Sequence, residues 1–113
     1  MEAIISKELL SEVLPYASIN EELISYGLDK DNNLLLQYDD VDEIINIHEL
    51  AHKCKEWCID KGFIICTEMH YKNTTLCKLR RKNHYTNWIK PHFVQDTEPK
   101  AIFKACQWIL DNK

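Results

Sequence analysis

Apolar positions along this chain recur with two periods, and the switches between them predict its elements. The helical period is clearest over residues 47–61. There Ile47, Leu50, Ala51, Cys54, Trp57 and Cys58 form one broad apolar stripe, with Glu49, Lys53, Glu56 and Asp60 on the polar side. Asn46 stands before the stripe as a natural N-cap and Gly62 after it as a natural stop. A shorter helix is expected over residues 6–14, capped by Ser6, apolar through Leu9, Leu10, Val13 and Leu14, and ended by Pro15. A third begins near Thr97, with Glu98 and Pro99 in a first turn whose free N–H groups and dipole favour both. Its buried side is Ile102, Phe103, Cys106, Ile109 and Leu110, and it runs to about residue 111.

The strand period appears in residues 63–69 and again in residues 75–79, with a turn at Lys72 and Asn73. In the second arm Leu76 alternates away from Cys77 and Leu79, which leaves open which face is buried. Arg81, Lys82, Asn83 and His84 read as a second turn, and residues 85–89 are expected to add a third strand before Pro91. Nearer the start, residues 29–33 (Asp, Lys, Asp, Asn, Asn) are a strong turn sequence flanked by apolar arms at 23–28 and 34–38. They predict a hairpin with a five-residue loop, although the first arm reads equally as a short helix beginning after Asn20. Asp39, Asp40, Asp42 and Glu43 then read as a solvated acidic connection. The fold class is α+β: a small antiparallel sheet with two main helices packed on one face, plus a short N-terminal helix and the hairpin.

At 113 residues the chain suits one core, so residues 1–113 are expected to form a single domain. With 2 glycines, 3 prolines and 45% hydrophobic residues, it is neither disordered nor collagenous. No apolar run reaches membrane length, since even the opening stretch is broken by Lys7, Glu8, Ser11 and Glu12. No cationic start leads into an apolar run, so a signal peptide is not expected and the expected location is cytoplasmic. Charge divides the chain. Residues 1–47 hold eleven acidic and two basic residues, and residues 48–113 hold twelve basic and seven acidic, so an acidic subregion of −9 precedes a basic α-β-β-(β)-α subregion of +5. The acidic half suits a surface that docks on a basic protein or repels nucleic acid; the plainer reading is that acidic loops keep a small protein soluble.

The one string that spells a known chemistry is His48-Glu49-Leu50-Ala51-His52, a match to the HExxH signature of zinc peptidases. Residues i and i+4 share a helical face, so both histidines can reach one zinc while Glu49 polarises its water. A third ligand is needed. Glu56 lies one turn on, and Glu68 and His70 lie in the next strand, but none fits a known signature. The wheel also places His48 and His52 beside Ile59, opposite the apolar stripe, where nothing in the helix itself would build a cleft. Asn46 followed by Glu49 explains the same residues as a capping box. The helix-start reading is preferred, and no catalytic, cofactor-binding or metal-ligating residue is assigned.

Three further candidates are weighed the same way. Cys54, Cys58, Cys66, Cys77 and Cys106 are odd in number, which argues against a disulfide framework; free cysteine is a small buried hydrophobe. A site from Cys54, Cys58 and a histidine can be drawn, but the spacing is not that of a zinc knuckle. Asp29, Asp31 and Asn33 open like a calcium loop, yet Leu34 stands where glycine is required and Asp40 where the bidentate glutamate belongs. Finally, Lys78, Arg80, Arg81, Lys82, His84, Tyr85, Trp88, Lys90 and His92 mix cations with aromatics, a composition that can hold phosphates and stack on bases. The same residues suit an edge strand protected by charge. Trp57, Trp88 and Trp108 are too scattered to make an aromatic platform together.

The stretches at residues 4–14, 47–57 and 96–110, above all the last, with Asp96, Thr97, Glu98, Pro99 and Lys100 leading into Ala101, Ile102 and Phe103, resemble small proteins of bacteriophages and prophages. The resemblance covers about a third of the chain, and its motifs are structural. It implies a phage-type accessory protein, a class whose small acidic members often bind a host protein, some of them blocking host nucleases or other defence machinery. The reading carried forward is therefore a non-enzymatic protein that binds a host protein. The rivals are nucleic-acid binding through residues 78–92 and a small HExxH zinc hydrolase.

Overall fold

Each helix starts where a side-chain oxygen can take a free N–H. The computed structural model describes residues 4–14, 25–31, 33–38, 42–70, 73–83, 88–90 and 92–112. Helix α1 (Lys7–Val13) is capped by the Ser6 hydroxyl, which accepts from the Leu9 N–H at 3.1 Å. Helix α2 (Ile47–Asp60) is capped by Asn46, whose Oδ1 accepts from the His48 N–H at 2.9 Å. Helix α3 (Glu98–Asp111) is capped by Thr97, with Pro99 buried in its first turn. Gly62 ends α2 at φ +93°, a conformation that strains any other residue, and its N–H donates to the Ile59 carbonyl at 3.0 Å.

The described strands form two antiparallel sheets of three strands each, ordered β1-β2-β3 and β4-β5-β6. In the first, β1 (Ser25–Leu28) and β2 (Asn33–Gln37) pair with Leu28 opposite Leu34, which leaves the expected five residues in the loop. The Asp29 carboxylate closes that loop by accepting from the N–H groups of Asp31 and Asn33 at 2.8 and 3.0 Å. The reading of Asp42 and Glu43 as a loop is corrected: they begin β3 (Asp42–Asn46), paired with Gln37 and Leu36. Their charge hid the strand, because an edge strand tolerates carboxylates on both faces. Asp39, Asp40, Leu23 and Ile24 lie outside the described residues.

In the second sheet β4 (Phe63–His70) and β5 (Thr74–Arg81) pair over eight residues, turned at Asn73, which takes a φ of 57°. Most of the strand expected at 85–89 lies outside the described residues, and the third strand of this sheet is a different segment. It is β6 (Phe93–Gln95), paired with Thr75 to Cys77, while Trp88 makes only an isolated bridge to Arg80. Three residues are too few for a period to register in sequence, and β6 is held by its pairing with β5 and its packing against α3. Residues 84–87 lie outside the described residues.

Register settles the face that alternation left open. Thr75, Cys77 and Leu79 are buried beneath α2 and α3, and Phe63 stands on the same side. Leu34 and Leu36 of β2 join Leu9 and Leu10 of α1 in the same core. The Tyr26 hydroxyl donates to the Ile5 carbonyl at 2.8 Å, tying β1 to the segment before α1. Where α2 meets α3, the buried positions Ala51, Cys54 and Cys58 of α2 share one small-residue face, and Cys106 of α3 meets Cys54. The backbones therefore approach closely enough for the Cys106 thiol to donate to the Cys54 carbonyl at 3.5 Å. No helix of the described residues is long and apolar enough to cross a membrane.

Leu79→Ala, which empties a fully buried site, is expected to cost about 2–5 kcal/mol in urea unfolding. Cys58→Leu adds apolar volume to the seam and is nonetheless expected to destabilise by about 1–3 kcal/mol. An unchanged or raised unfolding midpoint for Cys58→Leu would show that the helices do not need small residues there.

Candidate functional site

Helix α2 turns His48, Glu49 and His52 outward, on the side away from the buried stripe. His52 Nε2 lies 3.0 Å from Glu56 Oε1, and both side chains are mostly exposed (73% and 65%). Of the downstream candidates, Glu68 pairs with Lys78 at 3.3 Å, and His70 is the last residue of β4. Among the described residues, no group of three His, Cys, Asp or Glu side chains is placed to hold a metal ion. What the geometry does give His48 is a backbone N–H held by Asn46.

All five cysteines are unpaired as thiols, four of them buried. Cys58 hydrogen-bonds with Cys106; that contact, followed by burial, pushes the Cys58 thiol far above its ordinary range. Cys106 is raised too, through its contact with Cys54 and despite an opposing one with Cys58. Burial pushes Cys77 up to about 12. The raised thiols of Cys58, Cys77 and Cys106 favour the protonated form, which is not the nucleophilic one, and all three are buried in the core. Cys54 and Cys58 are buried on the side of α2 away from the exposed histidines.

A hollow of about 420 Å³ opens between the start of α1, β1 and α3, lined by Ile5, Lys7, Glu8, Tyr26, Phe103 and Lys104 among others. Its hydroxyls are used structurally: Ser6 donates to Gln107, and Tyr26 donates to Ile5. No pairing of nucleophile and base is built there among the described residues.

Two surfaces remain, one on each sheet. On the second sheet the basic aromatic segment is divided by strand alternation. Lys78 and Arg80 stand on the face away from the helices, and Trp88 meets them there, with the Lys78 Nζ 5.8 Å and the Arg80 Cζ 5.7 Å from its ring centroid. Arg81 falls on the other side, 5.0 Å from the Phe63 ring. Lys82 is exposed in the following turn, where its N–H donates to the Gly62 carbonyl at 3.0 Å. Lys90 is exposed, and His92 is half-buried, with a buried Nε2 that has no partner among the described residues. Tyr85 and His84 lie outside the described residues. On the first sheet, β3 carries Asp42 and Glu43 beside Ile44, which is 67% exposed. Ile44 shares its cross-strand row with Leu35 and with Gly27, where no side chain projects. Sequence reasoning missed this strand; the Ile44-Ile45 pair was its only apolar signal, masked by the acidic run before it.

Comparison with known protein families, with curated proteins and with solved structures gives no match.

Two outcomes follow from the thiol cluster. In the native protein a disulfide reagent should modify the half-buried Cys66 first, and the other four thiols only on unfolding; rapid reaction of several would contradict the packing. The pH dependence has a definite sign. Raised thiols keep protons that the unfolded chain loses near its ordinary cysteine pKa of about 8.5, so stability is full below that pH and declines above it, toward the value of about 12 for Cys77. The thermal midpoint should fall between about pH 8.5 and pH 10.5.

Proposed function

We propose that this chain is a non-enzymatic accessory protein of the phage or prophage kind, acting by binding a basic host protein at the acidic edge of its first sheet. The observation that carries the reading is Ile44, 67% exposed on an edge strand beside Asp42 and Glu43. A small protein gains nothing in stability from an exposed isoleucine there, whereas an extended partner segment would cover it by pairing along the edge. The carboxylates give that edge a preference. Two copies of it repel one another, which discourages edge-to-edge association, while a strand carrying Lys or Arg is attracted. The acidic loop at Asp29 and Asp31 adds charge of the same sign. Nucleic-acid-processing enzymes present basic clefts, so the class of partner suggested by the resemblance to phage proteins is of the right charge. A catalytic reading has no comparable support, since the exposed face of α2 offers no enclosed site.

The double variant Asp42→Lys, Glu43→Lys tests this directly as bait beside the native protein. A host protein of basic composition should be retained by the native chain, with retention reduced roughly tenfold or more in the variant and weakened by raised salt. Equal retention by both baits, or no retained protein with the native chain, would refute the reading.

A further inference from the structure

The second sheet has a face that neither α2 nor α3 uses. Phe63, Thr75, Cys77 and Leu79 are buried on the helix side. Alternation and register therefore put Ile64, Cys66 and Glu68 of β4, Leu76, Lys78 and Arg80 of β5, and Val94 of β6 on the opposite side. None of these is fully buried, and Val94 is 54% exposed. Trp88 joins this face beside β5, with Lys78 and Arg80 both within 6 Å of its ring. Cations also gather at one end. The Lys82 N–H binds the Gly62 carbonyl, which brings the Arg81-Lys82 end of β5 beside the Lys61-Gly62 turn. Lys61, Lys82 and Arg81 are exposed there, next to Arg80. Glu68 is the one carboxylate among the outer-face positions just named, and it sits at the far end, 3.3 Å from Lys78.

From this juxtaposition we propose that the outer face of the second sheet is a binding site for single-stranded nucleic acid. Lys78, Arg80 and Lys82 are placed to contact successive phosphates, and Trp88 to take a base against its ring edge or alongside the stacked Arg80. The charge is complementary: three or more cations face an anionic backbone, and the neighbouring apolar residues Ile64, Leu76 and Val94 offer the flat surface that unstacked bases cover. A duplex keeps its bases stacked inside and would use the cations alone, so it is the poorer fit. An acidic polypeptide matches the cations but has no planar group for Trp88. This site is separate from the acidic edge of β3, and the two sheets are not joined edge to edge.

Binding is measured with a twelve-nucleotide oligothymidylate and its uridylate counterpart at low salt, with polyglutamate of matched charge in parallel. The oligonucleotides should bind and polyglutamate should bind far more weakly. Log affinity should fall against log salt with a slope near −2, corresponding to about three phosphates. Lys82→Glu, at an exposed turn, and Arg80→Glu should each weaken binding roughly tenfold and flatten the slope by about one. Trp88→Ala should weaken it, and Trp88→Phe restore most of the loss. Asp42→Lys, Glu43→Lys should leave these effects in place, so failure here and failure of protein docking on β3 are read separately. No oligonucleotide binding at low salt, binding indifferent to Lys82→Glu and Arg80→Glu, or polyglutamate binding as tightly as oligothymidylate would each overturn the proposal.

Discussion

The close approach of α2 to α3 is the constraint on which the rest of this structure depends. Two helices share one side of the second sheet, and α2 meets α3 with a face of small buried residues, Ala51, Cys54 and Cys58. The Cys106 thiol bonding to the Cys54 carbonyl measures how near the backbones come. Larger residues of the two helices complete the core: Leu50, Ile102, Phe103 and Ile109 are essentially inaccessible. Because the helices lie together on one side, the opposite side of the second sheet keeps its half-exposed residues. The arrangement of the core thus decides which surface is available.

Charge plays a different part. Two cross-element ion pairs among the described residues, Lys55 with Glu98 and Lys78 with Glu68, are 3.4 and 3.3 Å long and partly exposed, a class that adds little to stability. Pairs of this kind do not account for the division between an acidic first half and a basic second half. In three dimensions it becomes a difference between two sheets, since β1 to β3 come from the acidic half and β4 to β6 from the basic half. At physiological salt, charges act over roughly 8 Å, while the molecule is 47 Å in its longest dimension. Over such a span the charge of one sheet does not cancel that of the other.

How much of this was legible in the sequence follows from how many residues each element had in which to declare itself. The helices were legible through their stripes and caps: Ser6, Asn46 and Thr97 all cap as their positions implied. The hairpin at residues 29–33 was legible because Asp29 supplies a side-chain acceptor at the right offset. Elements of three to five residues were not. Strand β6 has no room for alternation, and β3 begins with two carboxylates that read as solvent-facing loop. The basic aromatic segment was visible as composition, but only register could separate Lys78 and Arg80, which meet Trp88, from Arg81, which lies over Phe63. A one-residue step in a strand reverses the face, and composition does not carry that information.

The residue that best explains the HELAH string stands just before it. Asn46 is at once the last residue of β3 and the cap of α2, and both ends of its amide are engaged. Its Oδ1 accepts from His48, and its Nδ2 donates to the Asn33 side chain at 3.3 Å. The strand therefore passes into the helix without a linker, and the helix is anchored in the core through Leu50, Cys54 and Cys58. A surface is specific only as far as its support is rigid. By this joint the acidic edge is carried on the same rigid element that forms the seam with α3. Among the described residues, the histidine pair on the exposed side of this helix meets no wall. A strand fused to its start has a fixed one behind it, which favours β3 over the motif that follows it as the place of the proposed docking surface.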